Sequence, residues 1–180
     1  MILKGNKVLL RPVQLADAKR FVKWFNDPQV NKFLFLRGIT LAKEKKYILD
    51  KISGKEKDTV HFCIDTKAGL HIGAVSLESI QKRNKNASFG IMIGDKHYWS
   101  KGFGEEASKL IINYGFEKLK LHKIELDVYS YNQRAIGLYR KLGFKQDAVK
   151  REHNFYNGKF YDTIIMSVLD REWKKIRSKN

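Results

Sequence analysis

The 180-residue sequence predicts an α/β fold of the α+β kind: a single domain, residues 1–180, with a mixed, mostly antiparallel central sheet and helices on both faces. Three observations carry that expectation. Segments of helical period alternate with segments of strand period along the whole chain, so both element types share one core. The passage from Ser88 to Val128 reads as strand, helix, strand, with enough chain for a parallel crossover. On either side of it, short polar turns between alternating apolar runs predict antiparallel neighbours.

In chain order, "KVLLRPV" reads as a strand, and "QLADAKRFVKWFND" sets Leu15, Ala18, Phe21, Val22 and Phe25 on one helical face before Pro28 discourages continuation. "TLAKEKKYILDKI" predicts a second helix, with Thr40 as candidate N-cap and Leu41, Tyr47, Ile48 and Ile52 as apolar positions. The pattern then changes to period two. "TVHFCIDTKAGLHIGAVSLESI" gives two strands joined near Lys67-Ala68-Gly69, and "ASFGIMIG" a third after the polar turn "QKRNKN", forming an antiparallel meander. "SKGFGEEASKLIINYGFEKL" is helical, with Ala107, Leu110, Ile111 and Tyr114 on one face and Glu105 and Glu106 favourably placed in the first turn. "KIELDVYS" alternates Ile124, Leu126 and Val128 with Glu125 and Asp127, a strand with one covered face. In "NQRAIGLYRKLG", Asn132 caps a short helix that presents Ala135, Leu138, Tyr139 and Leu142 and ends at Gly143. Two closing strands turn through Asn157-Gly158, and a short terminal helix starts at Asp170.

Composition narrows the function classes. With 43% hydrophobic and 12% aromatic residues, only two prolines and no repetitive tract, the chain reads as globular. The opening "MILKGNKVLLRPVQ" interrupts its apolar residues too early for a signal peptide, and no stretch suits a bilayer span, so a cytoplasmic location and no membrane partner are expected. The lone Cys63, in the alternating run "VHFCI", permits no internal disulfide and no multi-thiolate metal site. Core packing is its expected role, and no metal is expected. A net charge of +17 favours anionic partners, but the lysines are scattered, which argues against a dedicated nucleic-acid tract.

The stretch "YWSKGFGEEA", residues 98–107, places Gly102 and Gly104 in front of a helix. Glycines there let a phosphate approach unpaired backbone N–H groups, Lys101 reinforces the attraction, and Glu105 and Glu106 must point elsewhere. A nucleotide-triphosphate loop needs a longer glycine spacing and a following Lys-Ser or Lys-Thr, absent here. Gly102, Gly104 and Ala107, with Asp127 downstream, match the dinucleotide fingerprint, but the fingerprint belongs directly after a first strand, and several elements precede this one. A purely structural turn is the other local alternative.

The segment "YWSKGFGEEASKLIINYGFEKLKLHKIELDVYSYNQRAIGLYRKLGF" resembles the core of the GCN5-related N-acetyltransferases (GNAT), in the branch of ribosomal-protein N-terminal, polyamine and amino-sugar enzymes. The resemblance extends to "LLRPVQLADA" and "WFNDPQV" near the start and "NGKFYDTIIMSVL" near the end. The family's acyl-CoA loop, Q/R-x-x-G-x-G/A, corresponds to Trp99-Ser100-Lys101-Gly102-Phe103-Gly104, with Trp99 in place of the polar first residue. "NQRAIGLYRKLGF" is similar to the family's N-x-x-A-x-x-L/F-Y-x-x-x-G-F. The resemblance implies acetyl-CoA as co-substrate, its diphosphate on backbone N–H groups from Lys101 through Gly102 and Phe103 to Gly104. Its pantetheine arm would run between the strand ending at Ile93 and the strand holding Val128, with Gly90 and Gly94 permitting the distortion or serving as turn residues.

Acetyl transfer to an amine needs a donor to the carbonyl oxygen, a proton for the thiolate and a route for the amine proton. The backbone N–H near Ile93 suits the first role. Tyr139 matches the family tyrosine near the sulfur, a phenol with an ordinary pKa of about 10; by spacing alone it reads as a core residue. Asn132 reads as a helix cap, and the resemblance also implies a place beside the pantetheine arm. The family's glutamate in "AEIG" is replaced by Ser88 in "ASFG", which leaves Glu78, His97, His122, Asp162 or a water chain for the base. The acceptor is expected to be an amine on a small molecule or protein, such as a nucleotide-linked amino sugar or a protein N-terminus. The positive field works against a polyamine. A homodimer is left open. The alternative is a basic RNA- or ribosome-binding module on a non-catalytic fold, with Tyr156 and Phe160 stacking on bases.

Overall fold

The computed structural model describes residues 1–34, 36, 38–55 and 57–178. Where the sequence predicts one opening strand there are two, β1 (Leu3–Lys4) and β2 (Val8–Pro12), paired antiparallel. A 3-10 turn at Leu15–Asp17 leads into α1 (Ala18–Phe25), and Asp27 caps a one-turn α2 (Pro28–Asn31) through the Gln29 N–H. α3 (Leu41–Ile52) is capped by Thr40, whose hydroxyl oxygen accepts from Lys43, as the sequence predicts. β3 (Val60–Thr66), β4 (His71–Gln81) and β5 (Asn86–Ile93) follow, then α4 (Phe103–Glu117), β6 (Lys123–Tyr129), α5 (Gln133–Lys141), β7 (Lys145–Tyr156), β8 (Lys159–Leu169) and α6 (Asp170–Arg177).

Among the described residues, eight strands hydrogen-bond in the order β1-β2-β3-β4-β5-β6-β8-β7. β5 and β6 are parallel, with Asn86–Ser88 against Lys123–Glu125, which is the crossover that the strand-helix-strand passage predicts. β6 runs antiparallel to β8 from Lys123 opposite Leu169 to Tyr129 opposite Thr163. The β7–β8 hairpin turns through Asn157 (φ 49°) and Gly158 (φ 78°), the paired left-handed conformations of a tight two-residue loop. No helix among the described residues is long and apolar enough to cross a membrane.

Close contacts divide the chain into two compact units. The first is Met1–Ser76 with Ile91–Ile111, the second Leu77–Gly90 with Ile112–Asn180. In the first, Ala18, Phe21 and Trp24 of α1 pack with Val30, Ile48 and Cys63. The sequence places Leu15 and Val22 on that face instead of Trp24. Residues 15–17 form a 3-10 turn, so the α-helical count starts at Ala18 and leaves Leu15 39% exposed. On α3 the buried pair is Glu44 and Ile48, one turn apart, whereas the expected Tyr47 and Ile52 are 45% and 54% exposed.

In the second unit, the apolar alternation of β6 buries Ile124, Leu126 and Val128, as predicted. α5 contributes Ile136 and Tyr139, and its C-cap Leu142 is buried beside them in sequence, so Ile136 takes the core place that the sequence reading gives to Ala135. Trp173 of α6 is buried and its indole N–H donates to Asn113 Oδ1 at 2.6 Å, which satisfies the ring's polar end.

Candidate active site

In the first unit, β5 ends at Ile93 and the chain passes a 3-10 turn, Lys96–Tyr98, before α4 begins at Phe103. The Trp99 indole N–H donates to the Ile93 carbonyl at 2.6 Å, so the residue standing in the polar position of the loop ties the loop to the strand end. Gly94 lies under another indole: a Cβ there would come within 2.0 Å of Trp24 Cδ2. Its small size therefore serves packing of Trp24, a local reason the sequence did not disclose.

Gly102 has φ +84°, a conformation that L side chains rarely adopt. A Cβ at Gly104 would touch Ile93 Cγ1 at 3.5 Å. Ile93, Lys101, Gly102, Phe103 and Gly104 are thus gathered around one helix start, whose first-turn N–H groups lack acceptors within the helix. Both acidic residues of the first turn are engaged elsewhere, as phosphate binding requires. Glu105 pairs with Lys109 at 2.8 Å. Glu106 accepts from the backbone N–H groups of Asn6, Lys7 and Val8 at 2.8, 2.7 and 2.9 Å. Lys7 in turn donates through Nζ to the Lys101 carbonyl at 3.1 Å.

In the second unit, Asn132 Oδ1 accepts from the Ala135 N–H at 3.3 Å, the cap that the sequence predicts. Tyr139 is 7% exposed, edge-on to Phe89 at 6.0 Å and tilted against Phe144 at 5.9 Å. Burial pushes its phenol up to about 12, above the ordinary value that the sequence reading assumes, because the phenolate would have to be formed away from water.

Two of the candidate bases have local engagements. His97 Nδ1 lies 2.9 Å from Asp95, and Asp162 accepts from the Glu152 N–H at 2.8 Å. Glu78 and His122 are exposed, and Ser88 sits in β5 opposite Glu125. Phe160 is exposed and packs on Phe155, while Tyr156 stacks on Tyr131.

The first unit also holds an ionic cluster that the sequence does not announce. Arg11 donates through Nη1 and Nη2 to the two oxygens of Asp17, each at 2.8 Å, and through Nε to Asp65 at 2.7 Å. The Cys63 thiol donates to Asp17 at 3.3 Å. His71 Nε2 donates to the Gly73 carbonyl at 2.9 Å, and His71 Nδ1 lies 3.3 Å from Asp17. Burial alone would raise the Asp17 carboxyl, but hydrogen bonds from Arg11 and His71 hold it far below the carboxylate range. Burial drives the Cys63 thiol up. Asp17, Cys63 and His71 present three ligand-type atoms within 4.8 Å of one another, yet Arg11 already takes both Asp17 oxygens, so the cluster is organised around a guanidinium.

Over residues 7–145 the sequence matches the acetyltransferase (GNAT) domain family. An uncharacterised N-acetyltransferase of Bacillus licheniformis is 29% identical over 174 residues, covering 95% of this chain and 97% of that protein. The spermidine N(1)-acetyltransferase of Vibrio cholerae is 34% identical over 169 residues, 94% of this chain and 96% of that protein, and that of Escherichia coli 31% over 171 residues, 94% and 89%. The crystal structure of the Vibrio cholerae spermidine N-acetyltransferase in complex with CoA and spermine superposes with a TM-score of 0.86 at 24% identity, covering 94% of this chain and 99% of that one, which speaks to the fold. These relatives are enzymes, which sets aside the non-catalytic binding module. The amino-sugar expectation finds no support among them.

Proposed function

Because the chain belongs to the GNAT acetyltransferase family and is an acetyl-CoA-dependent N-acetyltransferase, we propose that it transfers the acetyl group directly to a primary amine on an acidic or neutral acceptor, first among them a protein N-terminus. The observation that carries the acceptor reading is the net charge of +17, whose average field concentrates anionic partners and repels polycations. A second reading, spermidine, is favoured by the relatives named for it at 31% and 34% identity.

Acetyl-CoA supplies an activated acetyl thioester. The residues present fit its diphosphate: the N–H groups of Lys101, Gly102, Phe103 and Gly104 front the helix start, Gly102 carries no Cβ, and both first-turn carboxylates are held away. In this reading the Ile93 N–H polarises the acetyl carbonyl, and Asn132 adds a contact to the pantetheine arm while capping α5. Tyr139 donates toward the departing sulfur, kept protonated by burial. The amine proton leaves through water, Ser88 being no base at neutral pH.

The test is an acceptor panel with acetyl-CoA, reading free thiol: acidic peptides with free N-termini, a nucleotide-linked amino sugar, and spermidine. An acidic peptide with kcat/KM about 10-fold or more above spermidine, a preference of about 1.4 kcal/mol, is the expected result. A preference for spermidine would overturn it in favour of the second reading.

A further inference from the structure

We propose that Lys7 binds the diphosphate of acetyl-CoA and that Glu106 is the positioning residue that holds it there; the proposal rests on the acetyl-CoA reading of the loop. Three successive N–H groups, from Asn6, Lys7 and Val8, converge on the Glu106 carboxylate at 2.7–2.9 Å. Such a concave run of amides is a natural anion receptor, and the charged acceptor strengthens each bond. Gly5 makes the approach possible: a Cβ there would come 2.8 Å from Glu106 Cδ. The turn between β1 and β2 is thereby fastened to the first turn of α4.

The fastening delivers a cation. Lys7 Nζ donates to the Lys101 carbonyl at 3.1 Å, stands 3.2 Å from where Gly102 would carry a Cβ, and lies 5.9 Å from the centre of the Phe103 ring. An ammonium has three donors, and one goes to Lys101. The remaining two are available to an anion seated at Lys101–Gly104. Lys7 also offsets the Lys101 carbonyl dipole, which would otherwise oppose a diphosphate. A glutamate in the first turn would repel the same ligand, but here its charge is consumed by the amides that aim Lys7 at the loop. The sequence hides this arrangement, because Lys7 and Lys101 are 94 positions apart.

Calorimetric titration of Lys7→Met and Lys7→Arg with CoA and dephospho-CoA, together with KM for phosphate-free acetylpantetheine, tests the proposal. Lys7 is exposed, so the expected loss for Lys7→Met is roughly 3- to 10-fold in Kd for both CoA and dephospho-CoA at about 0.05 M salt, narrowing at about 0.5 M. Acetylpantetheine KM should not move, and Lys7→Arg should restore most of the affinity. Glu106→Gln should reproduce the loss, with Lys7→Met/Glu106→Gln no weaker than either alone; should Glu106→Gln not fold, the lysine variants decide. Wild-type affinity in Lys7→Met, an equal loss toward acetylpantetheine, or a loss that disappears with dephospho-CoA would each overturn the diphosphate assignment while leaving the loop reading intact. A wild-type protein that does not bind CoA would overturn the loop reading, and this proposal with it.

Discussion

The phenol of Tyr139, edge-on to Phe89 and pushed up to about 12 by burial, stays protonated across the neutral range. Tyr139→Phe keeps the ring packing and removes the donor. The expected outcome is a fall in kcat of about 10- to 100-fold with CoA affinity and melting temperature preserved, read by steady-state kinetics and calorimetry. Asp17 is the opposite case, a carboxylate held low by Arg11 and His71 against the effect of burial. Its folded pKa lies below the unfolded value of about 4, so its stabilisation is present above that value and is lost as pH falls. Asp17→Asn leaves Arg11 with Asp65 as its one charged partner and should cost about 3 kcal/mol near neutral pH. Urea unfolding at stepped pH should show the gap to wild type closing below about pH 3.

Among the elements, what could be read in advance was local. Thr40 capping α3, Asn132 capping α5 and the Asn157-Gly158 turn each involve residues a few positions apart, and all three stand as the sequence implies. The glycine loop and the tyrosine helix were likewise legible as motifs. β1 was not, because two residues cannot show a period. α1 was misphased by the preceding 3-10 turn, and α3 buries Glu44 where apolar counting favours Tyr47. The Arg11–Asp17–His71 cluster and the Lys7–Glu106 fastening escaped for one physical reason: each joins residues brought together only by folding, and no spacing rule records them.

Across the whole molecule the +17 charge is the property most exposed to solution conditions. Raising ionic strength from about 0.05 M to about 0.5 M shortens the screening length from roughly 14 Å to 4 Å, so kcat/KM for an acidic acceptor should fall while that for spermidine should rise. Opposite slopes for the two acceptors would show that the field acts on encounter. Parallel slopes would remove charge from the account of acceptor choice. The three amides gripped by Glu106 carry a consequence for biosynthesis, since they pair with a carboxylate up to 100 positions downstream. While the nascent chain lengthens, that turn must stay hydrated until α4 has emerged, and the closure entropy of so long a loop places its locking late. The turn joining β1 to β2 is therefore among the last pieces of the amino-terminal region to set.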